Sequence, residues 1–411
     1  MLAGQVASPL RRRARLSRRV LAMASLALFG IASNARAAAG DDFQVETSVT
    51  MKYDDNLFLL PNPAPPGGVS DSSTWMQTES AGFSFDHQYS GQVVHADASV
   101  TNNRFDSFHY LDYNAVNYNG VWQWQLGSRL SGSITVDHEE TLDSYEDVRD
   151  YNTPNLLRHT GQAFKFDWEA AGPWHIVGGI LHAQDTNPAA FTQVGTFSQV
   201  DGQLGVSYVS ALGNSVTLQL RDSDGRFDRD PDYTALLDNS YKQREAEVLT
   251  RMDIGGWTAL TTRLGYVDRR YPNLGERDYE GWVGRVEMTW QPSAQTTLKL
   301  AASRDLVDYE ESDSSYFWLN ELSLSPVWNI TPQLQLQGSV GIGWSSFAGA
   351  VEPTPYGTRS DRIANASARL QYKPTAYSVI GVSASVSQRR SSYTGYGYQD
   401  KTIGVDATLT F

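Results

Sequence analysis

The 411-residue chain contains no cysteine, which excludes disulfide bonds, thiolate nucleophiles and zinc–thiolate sites together. Beyond residue 37 it also lacks any apolar run of the roughly 20 residues that a transmembrane helix needs. Only 40% of its residues are hydrophobic, which is little for the two or three soluble domains that this length would otherwise suggest. The apolar side chains are therefore expected somewhere other than in ordinary globular cores.

The sequence motifs of common enzymes are missing as well. There is no G-x-S-x-G turn, no H-E-x-x-H helix, no P-loop and no Rossmann glycine pattern. The seven histidines are scattered, and the run His138-Glu139-Glu140 is better explained as the outer end of a strand than as a metal site. We therefore expect no catalytic residue, no bound metal and no cofactor, and we predict that the protein is not an enzyme.

The first 37 residues contain seven arginines and no acidic residue. The basic segment from Arg11 to Arg19 is followed by an apolar stretch from Val20 to Ala32 and by Ala35-Arg36-Ala37. This is the pattern of a secretory signal peptide cleaved before Ala38, and the apolar stretch is too short to anchor the chain in a bilayer. The sequence predicts that residues 1–37 are removed on export, leaving 38–411 as one domain.

The formal charge of the whole chain is −13, and loss of the signal peptide's arginines leaves the remainder more acidic still. Such a balance disfavours nucleic acid as a partner, because phosphate binding needs clustered lysine and arginine. Much of the acidic surplus lies in polar connections such as Asp143 to Asp150 and Asp222 to Asp232.

After the signal peptide, apolar and polar residues alternate. Ile403, Val405, Ala407 and Leu409 share one face of the last segment, and a similar alternation extends from Trp282 to Trp290. Strict alternation indicates β-strands, and here it persists well beyond the ~5–6 residues of an ordinary sandwich strand. Long alternating strands favour an outer-membrane barrel, in which the apolar face meets lipid and the polar face lines the lumen.

Short turns alternate with longer polar connections along this region. The short turns are expected at residues 88–91, 126–128, 171–173, 212–214, 255–256, 291–293, 330–332 and 373–375. Eight short turns and nine longer connections join eighteen strands, with sixteen as the alternative count. We predict an all-β protein, a transmembrane up-and-down antiparallel β-barrel integral to the bacterial outer membrane.

Aromatic residues agree with this placement. Trp282 and Trp290 are eight residues apart on one strand face, or about 26 Å at ~3.3 Å per residue, which is close to the ~25 Å apolar band of such barrels. Leu409 and the C-terminal Phe411 resemble the signal read by the barrel assembly machinery. That machinery, outer-membrane lipid and lipopolysaccharide are the expected partners. Tryptophans also cluster beside the short turns, where a periplasmic girdle is expected: Trp122, Trp124, Trp168, Trp174, Trp257, Trp290 and Trp328.

The polar strand faces carry charges of both signs, which suits a large, hydrated, hydroxyl-rich solute. The alternative for each residue is that opposite charges pair across the wall and keep the interior solvated. The candidate substrate path consists of Asp97, Arg221, Glu245, Glu247, Arg263, Arg285, Lys299, Arg369 and Asp406.

Three segments resemble the EpsL-type outer-membrane β-barrels: Tyr53-Asp54-Asp55-Asn56-Leu57-Phe58, Phe105-Asp106-Ser107-Phe108 with Leu111-Asp112-Tyr113, and residues 122–132. The similarity is clearest over roughly residues 45 to 185. Because these barrels are encoded in exopolysaccharide operons, the resemblance implies export of an exopolysaccharide, with a periplasmic polysaccharide-export protein as partner. It supplies no catalytic residues.

The leading hypothesis from sequence is therefore an exopolysaccharide export channel. One alternative is a general or substrate-specific uptake porin. Another is an outer-membrane enzyme or an adhesive structural barrel whose long loops carry the function.

Overall fold

The computed structural model describes residues 42–61, 71–147, 152–188, 196–228, 238–309, 314–351 and 357–411. The expected signal peptide and its cleavage site lie outside these ranges. Within them, no helix has the length and apolar character needed to cross a membrane. The helical segments in the described ranges are two three-residue 3₁₀ turns, His109–Leu111 and Gly275–Arg277.

Eighteen strands form a single sheet in the described part of the chain. In chain order they are β1 (Phe43–Asp54), β2 (Thr74–Tyr89), β3 (Gln92–Phe105), β4 (Tyr113–Leu126), β5 (Leu130–Leu142), β6 (Leu156–Ala171), β7 (Trp174–Thr186), β8 (Phe197–Val209), β9 (Ser215–Phe227), β10 (Ser240–Ile254), β11 (Thr258–Arg270), β12 (Tyr279–Ser293), β13 (Thr296–Asp308), β14 (Tyr316–Asn329), β15 (Leu334–Ala348), β16 (Ser360–Thr375), β17 (Ser378–Ser391) and β18 (Tyr398–Thr410).

Each strand pairs in antiparallel fashion with its neighbours in the chain, and β1 pairs with β18, so the sheet is closed. The closing register places Glu46 opposite Thr410 and Asp54 opposite Thr402. The predicted up-and-down barrel of eighteen strands is thereby confirmed, and the alternative count of sixteen is wrong. Closure pairs every strand on both edges, which is what a barrel in lipid requires.

The two ends of the barrel differ in their connections. One end has eight tight turns, and the other has nine longer connections, as the sequence predicted. At the β10–β11 turn, Gly255 and Gly256 both have positive φ values, 67° and 74°. Two successive residues with positive φ match the twist of a tight hairpin, and glycine adopts this conformation without steric cost.

The outer face of the wall is apolar and exposed. Leu220 and Ile180 are 68% and 60% exposed, and Val405 and Leu409 near the end of β18 are also exposed. Trp282 and Trp290 are both exposed on the same face of β12, as predicted, with one near each end of the barrel. Outward apolar side chains without a protein neighbour are stable when lipid surrounds them.

The protein core lies at the end of the long connections, which we call the loop end. Four clusters of buried side chains are found there. In the largest, Phe58 of the β1–β2 connection packs with Phe105 and Leu111 from the β3–β4 side and with Tyr145 of the β5–β6 connection. The loop end is thus packed with side chains, whereas the wall nearer the tight turns encloses a polar lumen.

Candidate solute path

All nine residues of the predicted substrate path lie on the strand face opposite the exposed apolar side chains. Strand alternation dictates this, because successive side chains point to opposite sides of a sheet. Contacts divide the nine residues into three places on the wall. These are a group on β9–β13, a pair on β16 and β18, and Asp97 on β3.

Four charged residues on three adjacent strands form the densest group, which we call the β10 network. Glu245 and Glu247 lie two residues apart on β10, between Arg221 of β9 and Arg263 of β11. Arg263 Nη2 lies 2.5 Å from Glu245 Oε1 and 3.2 Å from Glu247 Oε1. Arg221 Nη2 lies 3.0 Å from Glu247 Oε1. Each arginine therefore bridges toward both carboxylates, and the network is neutral overall.

The guanidinium groups cover the carboxylates of the β10 network. The side chains of Glu245 and Glu247 are 1% and 0% exposed, whereas those of Arg221 and Arg263 are 16% and 20% exposed. Gln219 adds a further donor, since its Nε2 donates to Glu247 Oε2 at 3.3 Å. A solute passing this wall would therefore meet arginine donors, with the negative charge held behind them.

The charged surface continues onto β12 and β13. Arg285 lies directly opposite Arg263, an arrangement of like charges that is unfavourable by itself. Glu287 compensates for it, since its carboxylate lies 3.1 Å from Arg285 Nε and 3.1 Å from Lys299 Nζ. The candidate path did not include Glu287, although strand alternation places it on the same lumen-facing side as Arg285.

The second place is a bridge between β16 and β18. Arg369 Nη2 donates to Asp406 Oδ2 at 2.6 Å, across the intervening strand β17. Gly381 of β17 lies beneath the bridge, and a Cβ at that position would come within 2.5 Å of Asp406 Oδ1 and 2.9 Å of Arg369 Nε. Glycine thus leaves room for two side chains to meet over a strand, and a larger residue here would displace the bridging groups.

Asp97 stands apart from both groups. Its Oδ1 lies 3.0 Å from His95 Nε2 and 3.4 Å from Asn119 Nδ2. His95 Nδ1 in turn lies 2.6 Å from Asp86. This cluster lies toward the tight-turn end and has no contact with the β10 network.

The β5–β6 connection turns into the barrel. Residues 143–147, here called the inward segment, follow β5 but contact β17, β18 and Arg359, the residue just before β16. On the shorter way round the ring, β4, β3, β2, β1 and β18 separate β5 from β17. A segment that makes these contacts lies inside the ring of strands, so it narrows the opening at the loop end.

Asp147 anchors the inward segment to the opposite wall. It accepts hydrogen bonds from Arg359 Nη2 at 2.9 Å and from Arg389 Nη1 at 3.2 Å. The side chains of Asp147, Arg359 and Arg389 are 1%, 2% and 0% exposed. Arg359 also donates through Nε to Asp361 at 3.1 Å. Burial alone would lower the pKa of Arg359, but the facing carboxylates outweigh it and raise that pKa, so the guanidinium stays charged.

Glu146 and Tyr145 add two more attachments. Glu146 Oε1 accepts a hydrogen bond from Tyr398 Oη at 3.1 Å and lies 3.1 Å from Arg389 Nη1. Burial raises the pKa of Glu146 against the opposing effect of Arg389, and the neighbouring charge of Asp147 raises it further. Tyr145 packs edge-on against Phe58, with ring centroids 4.9 Å apart. The segment is therefore held by charge on one side and by apolar packing on the other.

These anchoring residues could not be recognised from the sequence. Asp147 belongs to a polar connection that reads as an ordinary acidic loop, and nothing in its neighbourhood indicates a partner more than two hundred residues away. Arg389 and Arg390 gave a weak signal, because two adjacent arginines near the end of a strand must place one side chain inside the barrel.

The residues that resemble EpsL-type barrels build the loop end. Asp54 Oδ1 accepts a hydrogen bond from the Asn56 N–H at 3.0 Å, and Asn56 Oδ1 accepts one from the Leu60 N–H at 2.9 Å. Phe58 is fully buried. Asp112 Oδ1 accepts a hydrogen bond from the N–H of Phe105, the last residue of β3, at 2.7 Å. These motif residues stabilise the conformations of the connections and pack into the core at the loop end. None of these contacts is specific to a polysaccharide.

A closed barrel of eighteen strands with an apolar outer face and a polar interior is an integral outer-membrane protein. Residues 214–411, just under half of the chain, match the model of a family described as "Putative beta-barrel porin 2". This range begins at β9, so it contains the whole β10 network.

Several solved outer-membrane structures are similar to the chain in fold. One is Pseudomonas aeruginosa OpdK with vanillate, at 14% identity over 90% of this chain and 99% of that chain, with a TM-score of 0.48. Acinetobacter baumannii OccAB3 has 12% identity over 90% and 100% of the two chains and a TM-score of 0.48. A BenF-like porin from Pseudomonas fluorescens Pf-5 has 11% identity over 90% and 99% and a TM-score of 0.49. No curated protein sequence matches the chain.

The prediction of an exopolysaccharide export channel is wrong. The matching family model is that of a porin and covers the half of the chain that carries the charged wall. The resemblance behind the prediction came from the other half, where the motif residues Asp54, Asn56 and Phe58 serve the loop-end packing. A periplasmic polysaccharide-export partner was expected only for an export channel, so it is no longer expected. The uptake-porin alternative agrees with the family match.

Proposed function

We propose that this protein is an uptake porin, a passive channel that admits small hydrophilic solutes through the outer membrane and favours those that carry a carboxylate or a similar anionic group. The arginine-covered β10 network is the observation that carries the proposal. The porin family match over residues 214–411 supports the same class of protein.

The β10 network supports the preference for anionic groups. Arg221 and Arg263 are the exposed members, and the planar guanidinium group matches a carboxylate with two parallel hydrogen bonds. Glu245 and Glu247 neutralise the arginines, so the attraction for a passing anion is moderate. Moderate attraction suits a channel, because a solute must be able to leave each site as well as enter it.

The inward segment supports an upper limit on solute size. Barrels of 16–18 strands leave an aqueous channel unless loops fill it. Here residues 143–147 cross the interior at the loop end and are held at Asp147 and Tyr145. Solutes then have to pass beside this segment, which favours small molecules over a polymer.

Liposome swelling tests the proposal directly. Purified barrel is inserted into liposomes, which are then placed in iso-osmotic solutions of neutral sugars of increasing size, and of a sugar acid matched in size to one of them. We expect swelling that slows as the sugars become larger and is faster for the sugar acid than for its neutral counterpart. The double variant Arg221→Gln/Arg263→Gln should lose the preference for the acid and retain swelling with neutral sugars.

Arg226→Gln is the matched control, since Arg226 lies on the outer face of the same region and is 73% exposed. Liposomes that contain this variant should swell at the same rates as liposomes that contain the unaltered protein. A folded barrel that admits no solute contradicts a channel, and equal rates for the acid and its neutral counterpart contradict the arginine preference. Folding is checked by the shift in electrophoretic migration on heating.

The roles expected of the chain's two ends remain predictions. Leu409 and Phe411 lie at the end of the strand that closes the barrel, and Phe411 is exposed. Recognition of these residues by the barrel assembly machinery is part of the proposal, as is removal of the signal peptide before Ala38.

A further inference from the structure

Two arginines lie side by side on the outer surface of the barrel. Arg362 of β16 is directly opposite Arg390 of β17, and both side chains are exposed. On its other side, Arg362 is opposite Trp344 of β15, an exposed tryptophan of the lipid-facing surface. Strand alternation directs this pair away from the lumen, while Asp361 and Arg389 next to them in the chain point inward.

No carboxylate compensates this pair within the described ranges. Asp361 pairs with Arg359 inside the barrel, and no Asp or Glu of those ranges forms an ion pair with Arg362 or Arg390. Like charges directly opposite each other on adjacent strands destabilise a sheet. An arrangement of this kind is stabilised when an external anion binds between the two guanidinium groups.

Four other outward arginines on the loop-end rim are neutralised by the protein itself, since each has a carboxylate of the same outer face close by. Arg104 and Arg304 instead donate to asparagine side chains, and neither lies opposite a second arginine. A bare basic pair is therefore not a general property of this rim. The arginine–carboxylate pairs are Arg158–Glu140 at 2.8 Å, Arg226–Asp224 at 3.1 Å, Arg244–Asp222 at 3.3 Å and Arg270–Glu280 at 3.2 Å.

A third arginine belongs to the same cross-strand row. Arg304 of β13 is opposite Asn320 of β14, which is opposite Trp344, next to Arg362. Arg304 donates to Asn320 Oδ1 at 2.9 Å, and its guanidinium lies 3.8 Å from the ring centroid of Trp318. Basic side chains beside tryptophans are typical of the depth at which lipid headgroups meet the hydrocarbon.

The depth of the pair identifies the anion. Arg362 is the third residue of β16 and Arg390 is the last but one of β17, so both lie at the loop end above the apolar band. A charge on the lipid face is tolerated at the interface and costly at mid-membrane. The anions present at that depth are lipid phosphates, which guanidinium groups bind with two hydrogen bonds. We propose that Arg362 and Arg390, with Arg304 three strands away in the same row, form a binding site for the phosphate groups of a phosphorylated outer-membrane glycolipid of the lipid A type.

Native mass spectrometry of the detergent-solubilised full-length barrel tests the site, with bisphosphorylated lipid A as the probe. We expect Arg362→Gln/Arg390→Gln to weaken retention of lipid A about 30-fold, which corresponds to ~2 kcal/mol. Arg226→Gln removes one outward arginine that already has a carboxylate partner, and it should retain lipid A as the unaltered protein does. Fully dephosphorylated lipid A should bind poorly to every form.

Three results would overturn the proposal. Equal retention by the double variant would mean that the pair does not bind the lipid. Equal binding of dephosphorylated lipid A would mean that the acyl chains alone are recognised. Displacement of lipid A by an equal concentration of inorganic phosphate would mean that the site binds free phosphate and not a membrane lipid. Channel conductance of the double variant should stay unchanged, because both side chains lie outside the lumen.

Discussion

Asp147→Asn should release the inward segment from the opposite wall. The substitution keeps the shape of the side chain and removes the charge that faces Arg359 at 2.9 Å and Arg389 at 3.2 Å. Charge-assisted hydrogen bonds each contribute roughly 1.5–3 kcal/mol, and asparagine still accepts a weaker bond. Because Arg359 keeps Asp361 and Arg389 keeps Glu146, neither guanidinium is left without a carboxylate.

The expected loss is therefore about 3 kcal/mol, near the low end for breaking a buried ion pair. A loss of this size changes the ratio of docked to undocked segment by a factor of about 150. Single-channel recording in a planar bilayer would detect the change as a larger mean conductance and more frequent transitions between levels. Asp224→Asn, on the outer face, is the matched control and should record as the unaltered protein does.

Unaltered conductance and unaltered transitions in the folded Asp147→Asn barrel would show that Asp147 does not anchor the inward segment. A double-mutant cycle with Arg359→Gln separates the contribution of the Asp147–Arg359 ion pair from other effects of the substitution. The two substitutions together should cost less than the sum of each alone, since both remove the same contact. Full additivity would mean that Asp147 acts through some other group.

Three further predictions concern titration, selectivity and assembly. Because burial raises the pKa of Glu146 above its ordinary value of 4.5, the contribution of Glu146 to docking of the inward segment should weaken as the pH rises through the raised value. Glu146→Gln should abolish this pH dependence of the conductance. Glu247→Gln leaves Arg221 and Arg263 in excess, so the reversal potential in a salt gradient should shift toward anion preference, and a shift toward cations would contradict the arrangement. Phe411→Ala keeps the backbone bonds to Val45 yet should lower the yield of assembled barrel in cells, whereas normal yield would argue against an assembly signal.

Much of the fold could be predicted because strand alternation is a local property. Residues such as Val405 and Leu409 are apolar at every second position, and lipid contact requires no particular partner for them. Glycines such as Gly255 and Gly256 mark the tight turns in the same local way. The number of strands then followed from counting turns, without any knowledge of which side chains meet.

The candidate site was only partly predictable. Alternation assigned Arg221, Glu245 and Arg263 to the polar face, but it could not say that they form one network. That depends on the register between strands, which brings Arg221 opposite Glu245 and Arg263 within reach of both glutamates. The separate position of Asp97 had the same cause, since β3 lies far from β10 around the ring.

By itself the sequence determined the barrel class, the direction of each face and the location in the outer membrane, because each follows from local periodicity and from the polarity of lipid and water. Tertiary structure alone decided that Asp147 meets Arg359 across the opening, and that Arg362 meets Arg390 on the lipid face without a carboxylate. Both contacts depend on ring closure and strand register, which join residues far apart in the chain. Such long-range pairing leaves no pattern in a single sequence.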